Sequence, residues 1–287
     1  MEHRFKEKYS SNGVNVIECL DCGFKHLYPL PTQEQLNEFY KDHFAESTPS
    51  PNLNDKKESI IGYVGNSSGK RILDIGAWDG DFLDQFKDLS WERIGIEPGK
   101  KKKGILESKG IHVYTELFDK IDLSTLGEFD VINLSFVLEH ALVPQNILQG
   151  VFEKLLKPES IICIEVPNDF NPLQMAIIKN KNIPMYWICS PDHINYFDFS
   201  SLEKLLKKVG FEVLHKEASF PMELFVLMGQ NYIGNDEIGK NIHKKRCDFE
   251  KNLENAGLNN LKRELYRNLA TLSIGRSIVM FARKPWD

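Results

Sequence analysis

The 287-residue chain lacks the marks of several large protein classes. It has no long apolar run: a stretch such as LFVLM at 224–228 falls far short of the ~18 residues a membrane span needs. The opening MEHRFKEKYSS has no apolar core of a secretory signal, so a cytoplasmic protein with no membrane span is expected. Basic excess is also missing. With 36 Lys+Arg against 41 Asp+Glu the net charge is -5, and a polyanion such as nucleic acid meets no complementary field. The one dense basic run, residues 100–103, reads as the solvated face of a helix start. Five cysteines, at 19, 22, 163, 189 and 247, are odd in number and scattered, so they form no disulfide framework, as suits a reducing compartment. Neither GxGxxG nor GxxxxGK followed by Ser or Thr occurs, which disfavours dinucleotide and nucleoside triphosphate sites.

What is present is an ordinary globular composition, 41% hydrophobic and 27% charged, enough for one large domain with appendages. Residues 1–50 are polar and carry Cys19-Leu-Asp-Cys22-Gly23, then Tyr28-Pro-Leu-Pro31 and a helix-like stretch over 32–40. They form an N-terminal appendage, followed by a proline-marked linker at 47–55. From 71 to 217 short apolar runs alternate with segments of helical period. Strands are predicted at 72–75, 93–97, 111–114, 129–134, 161–166 and 211–215, and helices at 81–87, 100–109, 145–156 and 200–209, the last closed by Gly210. That alternation implies an α/β fold with a doubly wound parallel sheet. Residues 222–272 read as helical and 276–283 as a final strand at one side of the sheet. The expected division is 1–50, a core at 51–220, and a helical insertion with the last strand at 221–287.

Ligands of open α/β sheets bind at the carboxyl ends of the strands, which is where the turn Asp74-Ile-Gly76-Ala77-Trp78-Asp79-Gly80 falls. Gly76 and Gly80 admit a close backbone approach, and the following helix directs N–H groups at a carboxylate or phosphate. Asp74 and Asp79 make the turn acidic, so it suits a ligand with a cation beside its carboxylate and repels a pyrophosphate. The next strand ends in Glu97, 21 positions after Gly76 (97 − 76), where a carboxylate accepts from both hydroxyls of a ribose. A nucleoside joined to an amino acid meets both demands, and S-adenosylmethionine is such a molecule.

The run from Ile72 to Asn168 resembles the class I S-adenosylmethionine-dependent methyltransferases, with ILDIGAWDGDFL, IGIEPGKK, FDVINLSFVLEH and LLKPESIICIEVPN in family order. The resemblance implies a Rossmann-like, mostly parallel sheet with an antiparallel last strand. It also implies cofactor contacts at Asp74, Gly76, Ala77, Trp78, Asp79 and Gly80 for the methionine part, Glu97 and Pro98 for the ribose, Phe118 and Asp119 for the adenine, and Ser135 beside the sulfonium. Trp78 stands where the family's loop has a glycine, although Asp79-Gly80 fits the N-D-G variant of a subgroup resembling the sugar C-methyltransferases. Downstream, SPDHINYFDFSSLEKLLKKVGFEV resembles a segment of methyltransferases of sugars and related small molecules. There Asp192 and His193 occupy the place of an acidic residue and histidine of the sugar C-methyltransferase branch.

A sulfonium methyl is already a strong electrophile, so the protein's tasks are positioning and removing a proton from the acceptor. His193 oriented by Asp192 suits that task, Tyr196 is a candidate contact for an acceptor hydroxyl, and His140 in Leu138-Glu139-His140 a second candidate for the pocket. The aromatic stretch between the fifth strand and Asp192, with Tyr186-Trp187, is expected to form a lid. Cys19 and Cys22 are half of a zinc knuckle. Structural zinc needs four ligands and no second pair exists; His3, His26 and His43 complete a site only by geometry that a sequence does not show. In similar methyltransferases a preceding C-x-x-C supplies the rest, so the resemblance implies a ribbon that has lost two ligands, and bound zinc is not expected. The function expected is methyl transfer from S-adenosylmethionine to a small polar acceptor, a sugar nucleotide or glycan unit. The alternatives are O- or N-methylation of another small metabolite of quinone or polyketide type, and a non-catalytic binding protein on the same fold, with Trp78 as its motive. The helical tail is expected to cover the acceptor side or make a homodimer contact.

Overall fold

A computed structural model describes residues 3–42 and 53–286 of the chain. Among them the strands are β1 (Phe5–Ser11), β2 (Val14–Cys19), β3 (Lys25–Leu27), β4 (Arg71–Ile75), β5 (Glu92–Ile96), β6 (His112–Tyr114), β7 (Phe129–Ser135), β8 (Leu156–Pro167), β9 (Asn195–Tyr196), β10 (Glu212–Ala218) and β11 (Ser277–Arg283). The helices are α1 (Gln33–Asp42), α2 (Leu53–Val64), α3 (Asp81–Asp84), α4 (Lys103–Ser108), α5 (Pro144–Gly150), α6 (Pro172–Lys181), α7 (Phe199–Val209), α8 (Glu223–Leu227), α9 (Asp236–Asn255) and α10 (Asn259–Thr271). Most of the linker expected at 47–55, and His43, lie outside the described residues; from Leu53 the chain is already helical.

A seven-stranded sheet has the order β10-β11-β8-β7-β4-β5-β6. Strands β4, β5, β6, β7 and β8 pair in parallel. Strand β4 lies between β5 and β7 with Ile72 and Leu73 fully buried, which is why they read as a continuous apolar run rather than an alternation. At the other side, Glu159 is bonded to Lys284 and Asn168 to Arg276, so β11 runs against β8 as expected for a last strand. The sheet is mostly parallel with an antiparallel β11, the arrangement of an α/β Rossmann-like fold.

The chain divides into two compact units that cut across the expected boundaries at 50 and 220. One gathers Asn37–Glu165, Glu203–His215 and Met280–Asp287; the other gathers Met1–Leu36, Val166–Leu202 and Lys216–Val279. The second unit owes its composition to strand pairing: β9, just beyond the stretch expected to be a lid, pairs with β3 in a four-stranded antiparallel sheet, β1-β2-β3-β9. Val16, Leu27, Trp187 and Tyr196 form its core, with Tyr9, Phe170 and Tyr186 packed against them. The N-terminal strands are therefore part of a sheet that also takes in β9. The aromatic stretch also contains α6, capped by Asn171, whose side chain accepts from Leu173 N (3.0 Å) and Gln174 N (3.0 Å), with Pro172 at the first helical position. In the same unit the pair α9 and α10 is tied by Tyr266 Oη donating to Glu250 Oε1 (2.7 Å) and by Lys262 with Glu254 (2.6 Å).

Asn171→Ala is expected to lower unfolding free energy by about 1 kcal/mol, the usual worth of an N-cap. Urea unfolding midpoints at unchanged slope measure it, and an unaltered midpoint would show that α6 does not depend on this cap.

Candidate functional site

In the unit built on β4 to β8, the turn after β4 is left-handed at three positions: Gly76 (φ 78°), Trp78 (φ 49°) and Gly80 (φ 76°). A Cβ on Gly76 would stand 2.8 Å from Val137 Cγ2, and one on Gly80 2.6 Å from Ile111 Cδ1, so both positions require glycine on conformational and steric grounds. Trp78 adopts the same region with a side chain, at a cost of order 1–2 kcal/mol. The physical reason a glycine suits this place is thus the backbone angle. The indole ring lies under Lys102 Nζ, 4.2 Å from its centroid, and Lys102 also pairs with Asp79 Oδ1 at 2.7 Å.

Glu97, 6% exposed at the end of β5, fastens this turn. Its Oε2 accepts from Trp78 N (2.8 Å) and its Oε1 from Gly99 N (2.7 Å). The backbone of the turn is joined to the same strand, because Gly76 N and Ala77 N both donate to Ile96 O (2.8 and 3.1 Å). With one amide on each oxygen, the carboxylate is held in orientation and retains a lone pair on each oxygen for a further donor. Two adjacent hydroxyls match that arrangement.

Beneath the turn lies a buried polar chain that starts at Asp74, 3% exposed. Asn133 Nδ2 donates to Asp74 Oδ1 (2.6 Å), and Lys56 Nζ donates to Ser135 Oγ (2.8 Å) and pairs with Glu165 Oε2 (2.5 Å). Asp74, Ser135 and Glu165 sit toward the carboxyl ends of β4, β7 and β8, the edge where ligands of such sheets bind. Burial pushes the Asp74 carboxyl up to about 7, with Glu97 adding to the rise while Asn133 and Lys56 oppose it. Burial works against the Lys56 charge too, yet Glu165 above all, with Asp74, holds that ammonium above its ordinary value. Lys56 is the residue the motifs did not point to.

The other expected contacts are distributed as follows. Ala77 is buried and Pro98 exposed. Asp79 is committed to Lys102, so of the two acids expected to face a ligand's cation, Asp74 alone is buried in the turn's interior and Asp79 belongs to a surface ion pair. Phe118 is half-buried with its ring edge against Gly150, while Asp119 is exposed and paired with Lys120. His140 is half-buried, its Nε2 3.9 Å from the buried Glu139 carboxylate. In the other unit, Asp192 and His193 are half-buried in a turn, with His193 N donating to Cys189 O (2.7 Å). Tyr196, the candidate contact for an acceptor hydroxyl, is 1% exposed, with the Phe170 ring centroid 5.8 Å from its own, and stands in the core of the four-stranded sheet. Its position on β9 explains this, since a strand inserted beside β3 turns one face into the core.

Residues 43–216 match the family described as a methyltransferase domain. The chain belongs to that family. It is of the S-adenosylmethionine-dependent, class I type, and S-adenosylmethionine is its cofactor. Among curated proteins, it is similar to the ubiquinone biosynthesis O-methyltransferase of Nitrosococcus oceani, 28% identical over 131 residues, covering 44% of this chain and 55% of that one. The protein of the same name from Burkholderia pseudomallei is 24% identical over 181 residues, 60% of this chain and 78% of that one. The chain thus spans about half the length of the first of these relatives. In fold, it resembles the cyclase SpnF (TM-score 0.51, 16% identity, 90% of this chain and 99% of that one). It also resembles 1,6-didemethyltoxoflavin-N1-methyltransferase of Burkholderia thailandensis, solved with S-adenosylhomocysteine (TM-score 0.50, 12% identity, 98% and 100%).

The residues of this methyltransferase suit its cofactor: the glycine turn admits a close approach, Glu97 offers two oriented acceptors, and Asp74 offers a buried negative charge. Asp74 also links stability to pH. Its folded value of about 7 lies above the ordinary 3.8, so its contribution is fully present below pH 4 and is lost as pH rises through 7. Asp74→Asn is expected to flatten the fall in stability between pH 5 and pH 8 without abolishing it, because buried Asp169 is also raised to about 7. Urea unfolding of both proteins across that range measures it; parallel profiles would contradict the assignment.

Proposed function

We propose that the protein transfers the methyl group of S-adenosylmethionine to an oxygen of a small hydroxylated metabolite of quinol or phenol type. The observation that carries the cofactor half is the Glu97 carboxylate clamped between Trp78 N and Gly99 N. The acceptor half is supported by the two relatives named as ubiquinone biosynthesis O-methyltransferases, which favour a quinone-type acceptor over the sugar nucleotide expected from the sequence. In this reading Glu97 receives the ribose hydroxyls, the turn from Gly76 to Gly80 receives the methionine part, and Asp74 faces its ammonium. Ser135, fixed by Lys56, lies beside the sulfonium, and Phe118 and Asp119 border the adenine. An ammonium arriving at Asp74 favours the ionised carboxylate, so cofactor binding is coupled to proton release near neutral pH.

Methyl transfer to a hydroxyl leaves one proton to be removed, and His193, oriented by Asp192, is the base in this proposal; His140 is the second candidate. The fold alone does not determine the chemistry, as the cyclase among the structural relatives illustrates by its name. Turnover decides.

The test uses methyl-labelled S-adenosylmethionine with dihydroxybenzene-type acceptors and, separately, sugar nucleotides. Label is expected in the aromatic ether product. His193→Ala is expected to keep cofactor affinity and lose about 10²–10⁴-fold in turnover. Glu97→Ala is expected to weaken cofactor binding about 10- to 100-fold, as the loss of charged hydrogen bonds implies. Label appearing only in the sugar nucleotides would overturn the acceptor reading, and undiminished turnover in His193→Ala would remove that base.

A further inference from the structure

The antiparallel sheet of the second unit holds a constellation that methyl transfer does not use. Strand β1 is preceded by His3, β2 ends in Cys19, the turn into β3 carries Cys22, and His26 stands in the middle of β3. These four come from three separate segments, yet one ligand atom of each lies within 4.8 Å of all the others. Nδ1 of His3 is 3.0 Å from His26 Nε2, 3.3 Å from Cys19 Sγ and 3.5 Å from Cys22 Sγ. We propose that His3, Cys19, Cys22 and His26 bind a structural zinc ion.

Tetrahedral zinc, with Zn–S about 2.3 Å and Zn–N about 2.0 to 2.1 Å, sets its donors about 3.3 to 3.8 Å apart, which is the scale of the spacings here. Hydrogen bonding alone accounts for them poorly. His26 Nδ1 lies 2.8 Å from Leu27 O, and a carbonyl only accepts, so Nδ1 carries the proton and Nε2 presents a lone pair. A proton on His3 Nδ1 then serves one of three converging acceptors, whereas a cation serves all of them. The surroundings resemble those that orient metal ligands elsewhere: the Nδ1–H to carbonyl bond fixes the His26 tautomer and ring, and Cys22 N donates to Cys19 Sγ at 3.3 Å, as backbone amides do to thiolates. Two sulfurs and two nitrogens make a donor set suited to zinc, and four protein ligands leave no open position for catalysis. The pair that the sequence leaves two ligands short is completed by histidines from β1's entry and from β3. The ion would therefore pin the start of β1 to the β2–β3 turn, where Arg4 and Asp21 already make an exposed ion pair.

The test is metal analysis of the full chain purified from zinc-supplemented cells. About one zinc per chain, surviving dialysis, is expected. Cobalt substitution is expected to give the visible absorption of a tetrahedral site with a thiolate charge-transfer band. Cys22→Ser should lose the metal. His3→Cys, which keeps four donors, should retain it with a stronger charge-transfer band, so that a loss by misfolding is distinguishable from a loss of ligands. Folded wild-type protein with less than about a tenth of an equivalent of zinc would overturn the proposal. So would full zinc content in a folded Cys19→Ser, Cys22→Ser double variant.

Discussion

The carboxylate of Glu97 is the fixed point of the first unit's ligand-binding edge. It is buried at the tip of β5 and spans two amides that belong to different loops, Trp78 N after β4 and Gly99 N after β5. Removing a charge from water is costly, and these two bonds offset that cost while fixing where the oxygens point. The turn from Gly76 to Gly80 is then held from two sides, by Ile96 O at its beginning and by Glu97 at its centre. Trp78 is tolerated within this arrangement. Its left-handed backbone is fastened by its own N–H, and its ring is engaged by Lys102.

Charge is handled differently below the turn. Asp74, Lys56 and Glu165 are all removed from solvent, and each is stabilised by a partner rather than by water. One ammonium stands among two carboxylates, so the group carries a negative balance until Asp74 takes up a proton or a cationic ligand arrives. An edge that is short of positive charge when empty is well matched to a sulfonium and an ammonium, and poorly matched to a phosphate. Of the turn's two acids, Asp74 is buried in this group and Asp79 is paired with Lys102.

Legibility followed how locally each feature is encoded. The parallel strands were plain because burial on both faces makes β4, β7 and β8 near-continuous apolar runs, and Gly76, Gly80 and Glu97 stand at spacings set by one strand-turn-helix unit. The N-terminal strands were not, since β1 is almost wholly exposed and shows no alternation of apolar residues, and β9 is two residues long. The burial of Tyr196 is hidden for the same reason: it depends on pairing with Lys25, 171 positions earlier (196 − 25). Lys56 differs from Lys57 only in its phase on α2, where Asp55, Lys56, Ser59 and Ile60 form the buried face, and a stripe that is three-quarters polar does not read as one. The meeting of His3 with His26 likewise needed the strand register of β1 and β2, which no local pattern carries.

The measurement that tests the central claim most directly is calorimetric titration of the wild-type chain with S-adenosylhomocysteine at pH 6.5 to 7 in two buffers of different ionisation heat. The account predicts saturable micromolar binding whose apparent heat differs between the buffers, because Asp74 gives up a proton to the solvent as the ligand's ammonium arrives. No saturable heat in either buffer would contradict it, and the turn held by Glu97 would then be the frame of some other ligand.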